Sequence, residues 1–133
     1  MAKTFGRLNI TFGWCWLCLG VAQAMLIGLF AFSEGWLGGY DSLTRRFLRL
    51  SHIAFMALPL LNIVYGLCLD AVDLGDRAKQ IGSYSMVVAG VSMPTVCLLS
   101  AANGFFQLFF FIPASSFAIG VMMMAIGQLR SRK

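Results

Sequence analysis

The stretch ITFGWCWLCLGVAQAMLIGLFAF, from Ile10 to Phe32, decides the fold of this chain because it contains no Asp, Glu, Lys or Arg. A helix that crosses the hydrocarbon core of a bilayer needs about 20 apolar residues. Backbone polar groups in lipid must be satisfied within the segment, so this run predicts a transmembrane helix. The run also exceeds the apolar core of a signal peptide, about 7 to 15 residues, and we expect it to remain as a membrane span.

Three further uncharged apolar runs follow, at residues 51–69, 81–102 and 105–129. Over the 133 residues, 59% are hydrophobic and 11% are charged, against about 25% charged in a typical soluble domain. The four spans leave room for short loops and tails but not for a soluble domain. The sequence therefore predicts an all-α fold, a four-helix bundle in the membrane, as a single transmembrane domain over residues 1–133.

Pro59, Pro94 and Pro113 lie inside the second, third and fourth spans. Proline has no N–H, so it leaves the carbonyl four residues earlier without its helical donor and kinks the helix. Membrane helices tolerate this loss when neighbouring helices or hydroxyl groups compensate. We therefore expect proline-kinked transmembrane helices with openings between them.

Small residues recur on the first span at four-residue spacing, at Gly20, Ala24 and Gly28. In membranes, such rows let two helix backbones approach closely. Gln23 in the first span and Asn62 in the second carry amide groups that need hydrogen-bond partners in an apolar setting. These five residues are the predicted helix-packing positions, against another helix of this chain or against a partner protein.

The ten Lys and Arg residues predict the orientation of the chain. If the N-terminus is cytoplasmic, seven cations lie inside and three outside, and the outside three are Arg45, Arg46 and Arg49. Cytoplasmic segments carry an excess of Lys and Arg, so both termini are expected in the cytoplasm. The net charge of +5 then reflects topology, and no nucleic-acid partner is expected.

The second helix is predicted to extend beyond its apolar run, from Leu43 to Leu69, with Asp41 or Ser42 as its N-cap. A helix of this length spans about 40 Å, which exceeds the hydrocarbon core of about 30 Å. Its first turns, which carry the three outside arginines, should therefore lie in the headgroup layer. There the arginines can bind phospholipid headgroups.

His52 is the sole histidine and lies about one turn inside the outer end of the second span. Arg49 and Met56 fall near the same helical face. An ionisable group within a span is a functional candidate. The candidate site therefore comprises His52, Arg45, Arg46, Arg49 and Met56.

Four interpretations of this site remain open. His52 is an axial ligand of haem b, with the arginines at the propionates and Met86, Met93 or a partner supplying the second ligand. Alternatively, His52 hydrogen-bonds a quinone, contacts a partner protein, or simply bonds a carbonyl or Asn62 inside the bundle.

Cys15 and Cys18 share a helical face within the first span. A metal would need two further ligands at the same depth, and only Cys68 is available near that membrane face. Cysteines in an apolar setting behave as small hydrophobic side chains. We therefore expect no metal site.

The sequence carries no catalytic set, so no enzymatic activity is expected. We expect a small structural or accessory subunit of a larger membrane complex, a respiratory or photosynthetic assembly of a bacterial inner membrane. The alternative is an electron-transfer subunit that binds haem b or a quinone at His52. A small transporter is a third, weaker possibility, because no carboxylate for proton coupling lies within a span.

Overall fold

The computed structural model describes residues 5–30 and 33–131. Within them the chain forms four α-helices, α1 (Arg7–Phe30), α2 (Leu43–Leu69), α3 (Asp76–Ala102) and α4 (Phe111–Ser131). Two 3₁₀ segments, Trp36–Gly38 and Gly104–Phe110, precede α2 and α4. All four helices, α4 together with its 3₁₀ segment, are long and apolar enough to cross a membrane. The predicted all-α, four-helix membrane architecture is confirmed.

Several predicted features lie outside the described residues. These are the last two residues of the first predicted span, 31–32, and three of the cations expected on the cytoplasmic side, Lys3, Arg132 and Lys133.

The second helix begins at Leu43 and ends at Leu69, as the sequence predicts. Ser42 is its N-cap, with an extended backbone and a side-chain oxygen that accepts a hydrogen bond of 3.2 Å from the Arg45 backbone N–H. This bond satisfies one of the N–H groups that the first turn of a helix leaves unpaired.

The fourth span differs from its prediction at its N-terminal end. The segment Gly104–Phe110 is 3₁₀, and the α-helix starts only at Phe111. Pro113 explains the boundary, because a proline fits the first turn of a helix, where its missing N–H removes no bond. Pro59 and Pro94, in contrast, lie inside continuous helices. The kinks expected at the prolines stay a prediction.

Each helix packs mainly against its neighbours in sequence, α1 on α2, α2 on α3 and α3 on α4. Of the most apolar stretch of each helix, 33% is buried in α2 and 39% in α3, but only 11% in α1 and in α4. The central pair is therefore α2 and α3, with α1 and α4 outside. Within the described residues α2 and α4 make at most sparse contacts, and a groove runs between them.

Two glycines bring the backbone of α1 against that of α2. A Cβ at Gly20 would lie 2.7 Å from the carbonyl oxygen of Phe55, and a Cβ at Gly13 would lie 2.7 Å from that of Pro59. The Phe55 carbonyl is the one that Pro59 leaves without its helical N–H donor. The close contact of Gly20 thus covers a polar group that lipid could not satisfy.

A fully buried polar cluster joins α1, α2 and α3. The Asn9 Nδ2 donates to Asn62 Oδ1 at 2.8 Å and to the Ser83 carbonyl at 3.1 Å, and the Ser83 hydroxyl donates to Asn9 Oδ1. The Asn62 amide nitrogen donates in turn to the carbonyls of Leu58 and Met86, both at 3.0 Å. Such a network fixes the mutual rotation of three helices that are apolar on most of their surface.

Candidate functional site

His52 lies in the third turn of α2, near the N-terminal end of this helix. Its side chain is half-buried, and its Nδ1 atom is buried without a hydrogen-bond partner in the part of the chain that the structure describes. Buried polar atoms are nearly always paired, so an unpaired imidazole nitrogen marks a place where a ligand or water can bind.

Gln23 of α1 lies at the same depth as His52. Its Nε2 donates to the hydroxyl of the buried Ser51 at 2.8 Å, and that hydroxyl donates to the Leu48 carbonyl at 2.8 Å. The Oε1 atom of Gln23 is buried and has no partner among the described residues. Gln23 bonds Ser51, and Ser51 directly precedes His52 on α2. The unpaired atoms Gln23 Oε1 and His52 Nδ1 therefore lie at about the same depth along α1 and α2.

Arg45 and Arg49 lie on the aromatic side chains of the preceding loop. The Arg45 guanidinium carbon is 5.6 Å from the ring centroids of both Trp36 and Tyr40, and that of Arg49 is 4.1 Å from the Tyr40 centroid. Arg49 also donates through Nη2 to the Tyr40 carbonyl at 3.3 Å. Cations within about 6 Å of an aromatic centroid are attracted by the ring quadrupole. We call these four residues the arginine–aromatic cluster.

The backbone of the loop holds the two rings in place. Leu37, Gly38 and Gly39 have φ angles of 53°, 82° and 90°, a left-handed conformation that glycine adopts freely and leucine rarely. The Ser42 hydroxyl donates to the Leu37 carbonyl at 2.6 Å and so ties the turn to the start of α2. This turn places Trp36 and Tyr40 beside the arginines.

Arg46 is separate from this cluster. Its side chain is 61% exposed, whereas Arg45 is 8% exposed. Its Nη2 lies 3.8 Å from the carboxylate of the exposed Asp41, a distance typical of a weak surface ion pair. The structure therefore separates Arg45 and Arg49, which lie over aromatic rings, from Arg46, whose side chain is exposed to solvent.

The methionines considered for haem ligation lie in different surroundings. The half-buried Met56 packs toward α1, with its sulfur 3.1 Å from the position of a Cβ at Gly20. Met86 lies beside Asn62, which is about 15 Å farther along the α2 axis than His52. Met86 is therefore too distant to ligate an iron held by His52. Met93 is half-buried on α3.

The predicted helix-packing residues differ in what they contact. Gly20 is buried against α2, Gln23 bonds Ser51, and Asn62 lies at the centre of the buried polar cluster. Ala24 is half-buried, and a Cβ at Gly28 would meet no atom of the described residues within 4 Å. The row of small residues thus contacts α2 at one end and leaves open space at the other.

The groove between α2 and α4 is a feature that sequence reasoning missed. It has a volume of about 330 Å³, and the buried Met86 of α3 lies at its floor. Its lining is almost wholly apolar and consists of Leu61, Val64, Tyr65, Cys68, Met86, Phe117, Val121, Met124, Ala125 and Gln128. No sequence motif predicts this groove. Its walls come from α2, α3 and α4, and the sequence does not specify which of these helices lie side by side.

Fold and candidate site together define a four-helix integral membrane protein with unpaired polar atoms near the N-terminal end of α2. No family model, curated protein or solved structure matches the chain. In the described residues no group of three or more His, Cys, Asp or Glu could hold a metal ion, and Cys15 and Cys18 are exposed. The function must therefore be argued from the described contacts.

Proposed function

We propose that this chain is a small, non-catalytic subunit of a larger membrane protein complex, and that the groove between α2 and α4 receives a transmembrane helix of a partner subunit. The groove is the observation that carries the proposal. Its volume of about 330 Å³ is at the lower end of the range of about 300 to 1,000 Å³ that is usual for binding pockets.

The geometry of the groove suits a helix. Phe117, Val121 and Met124 supply one wall at helical spacing along α4, and Leu61 and Val64 supply part of the other along α2. Helices associate when the side-chain ridges of one fill the grooves of another. In lipid, this packing takes the place of the hydrophobic effect as the driving force.

The proposed setting is a respiratory or photosynthetic complex of a bacterial inner membrane, with both termini in the cytoplasm. Seven cations lie near the two termini and near the start of α3, against three near the start of α2, and this imbalance supports the orientation. The unpaired polar atoms of His52 and Gln23 support an energy-converting complex, because quinones and haems are recognised by such groups.

Val121→Trp tests this proposal, with Met122→Trp as the matched control. Both side chains are exposed on α4, at 44% and 56%, but only Val121 lines the groove. The tagged chain is purified from native membranes in mild detergent, and bound subunits are quantified by mass spectrometry. We expect stoichiometric membrane subunits with the wild type and with Met122→Trp, and their loss with Val121→Trp. Recovery of the wild type alone, or equal recovery with both variants, contradicts the proposal.

A second candidate function is electron transfer with a quinone bound at the level of His52 and Gln23. The unpaired Nδ1 of His52 can donate to a quinone carbonyl, and the unpaired Oε1 of Gln23 can accept from a quinol hydroxyl. Haem b is less well supported, since Met86 is about 15 Å from the level of His52 and the second axial ligand would have to come from Met93 or a partner.

Binding of a short-chain benzoquinone to the purified protein tests the second candidate. His52→Ala should weaken binding about fivefold, the usual effect of losing one hydrogen bond. Gln107→Leu, which removes an exposed amide on the 3₁₀ segment before α4, should leave it unchanged. Equal affinity of the His52→Ala variant and the wild type, with no haem absorption band in either, contradicts both cofactor hypotheses.

A further inference from the structure

We propose that the arginine–aromatic cluster binds the phosphate group of an anionic phosphate ester, with Arg49 as the direct contact and Arg45 as a second positive charge behind it. The proposal concerns the outer end of α2 and does not depend on whether the chain belongs to a complex.

The first argument is the concentration of positive charge. Arg45 and Arg49 lie against the same Tyr40 ring, at 5.6 Å and 4.1 Å, so their charges are within about one Debye length, roughly 10 Å, of each other. An anion between or beside them relieves their mutual repulsion.

The acidic side chains of the described segment before α2 lie at the surface. The acidic residues of the described segment before α2 are Glu34 and Asp41, and both are exposed. Asp41 lies toward Arg46, on the outward-facing side. Arg45 and Arg49 therefore place two positive charges close together, beside the weak ion pair of Arg46 and Asp41.

The second argument is geometry. A guanidinium group is planar and carries five N–H donors, which suits bidentate bonds to phosphate oxygens. Arg49 donates through Nη2 to the Tyr40 carbonyl and also lies over the Tyr40 ring, and these two contacts restrict the orientation of its remaining donors. The left-handed turn at Leu37, Gly38 and Gly39 holds the ring, so the site is formed before an anion arrives.

The third argument is depth. With 27 residues, α2 is about 40 Å long, against a hydrocarbon core of about 30 Å, so its first turns reach the headgroup layer. Trp36 and Tyr40 are of the types enriched at that level. A phospholipid headgroup is therefore the nearest source of phosphate, and soluble inorganic phosphate is the other.

Trp36 can report on the site directly. In a Trp14→Phe/Trp16→Phe background it is the single tryptophan of the chain. Its fluorescence is measured in vesicles of phosphatidylcholine and phosphatidylglycerol in which one or the other lipid carries brominated acyl chains. We expect brominated phosphatidylglycerol to quench Trp36 more than its mole fraction predicts. Arg45→Gln/Arg49→Gln should reduce this enrichment about 10- to 30-fold, from the usual contribution of two interfacial cations.

Arg46→Gln is the matched control, because it removes the same charge from the same helical turn but outside the cluster. It should retain most of the enrichment. Arg45→Lys/Arg49→Lys should retain helicity by circular dichroism and keep only part of the enrichment, since lysine lacks the planar fork.

The outcomes separate the sources of phosphate. Enrichment that inorganic phosphate at millimolar concentration does not remove supports a phospholipid. Equal quenching by both brominated lipids, together with a change in Trp36 fluorescence when millimolar inorganic phosphate is added, supports a soluble phosphate ligand. Equal quenching by both brominated lipids without a response to phosphate, or an equal loss with Arg46→Gln, overturns the proposal.

Discussion

Asn9 donates a 2.8 Å hydrogen bond to Asn62 across the interface of α1 and α2, and both side chains are fully buried although 53 residues separate them. Asn62 also bonds the carbonyls of Leu58 and Met86, so one amide connects three helices.

Asn62→Leu should therefore destabilise the chain. The substitution removes three hydrogen bonds and leaves part of the Asn9 amide unpaired in an apolar environment. Interhelical hydrogen bonds in membranes contribute about 0.6 to 2 kcal/mol each, so we expect a loss of about 1–3 kcal/mol. Unfolding in mixed detergent and dodecyl sulfate micelles measures this loss of stability.

Ser115→Ala is the control, because the hydrogen bonds of the exposed Ser115 hydroxyl go to the Phe111 and Ile112 carbonyls of its own helix. Equal stability of both variants would show that the buried cluster contributes nothing.

Gly20→Val and Gly28→Val should differ in their effect on the stability of the isolated chain. A Cβ at Gly20 would lie 2.7 Å from the Phe55 carbonyl oxygen, a backbone atom that cannot move aside, whereas Gly28 has open space. Overpacking of this kind costs about 1–3 kcal/mol. We expect Gly20→Val to lower the stability of the isolated chain and Gly28→Val to leave it unchanged, in the same unfolding measurement. If Gly28→Val removes a bound subunit while stability is retained, Gly28 lies in a partner interface.

Gly82 and Tyr65 form a third testable pair. A Cβ at Gly82 would collide with the Tyr65 hydroxyl, which is buried and has no hydrogen-bond partner among the described residues. Gly82→Ala should therefore be destabilising. Tyr65→Phe should be nearly neutral, because it removes an unsatisfied polar group.

The double variant Tyr65→Phe/Gly82→Ala should recover much of the stability lost in Gly82→Ala. Residues in direct contact show coupling energies of about 0.5–3 kcal/mol in such cycles. Strictly additive effects would mean that the hydroxyl is not what excludes a side chain at Gly82.

Reporter fusions test the orientation. A fluorescent protein fused after residue 133 should fluoresce in a bacterial host, and alkaline phosphatase fused there should be inactive, because seven cations favour the cytoplasmic side for both termini. An alkaline phosphatase fusion in the loop before α2 should be active. The reverse pattern would place the arginine–aromatic cluster in the cytoplasm.

Number, type and approximate limits of the helices follow from the sequence because they depend on local interactions. Backbone hydrogen bonds in lipid must close within each segment, so a long uncharged apolar run can only be a helix. The start of α2 is also local, since Ser42 caps the N–H of Arg45 three residues later. Pro113 is a local feature whose position in the helix differs from the expectation: it lies in the first turn of α4, not in the interior of the helix.

What the sequence could not determine is which face of each helix meets which neighbour. These helices are apolar on nearly all sides, so the hydrophobic pattern does not single out a buried face. Identical residues therefore have different roles: Gly20 contacts α2 while Gly28 lies open, and Arg45 stacks on two aromatic rings while Arg46 faces outward. The polar pairing of Asn9 with Asn62 and the groove between α2 and α4 arise only when the helices assemble. In lipid, association depends on the shapes and hydrogen bonds of side chains far apart in sequence, and these meet only in the tertiary structure.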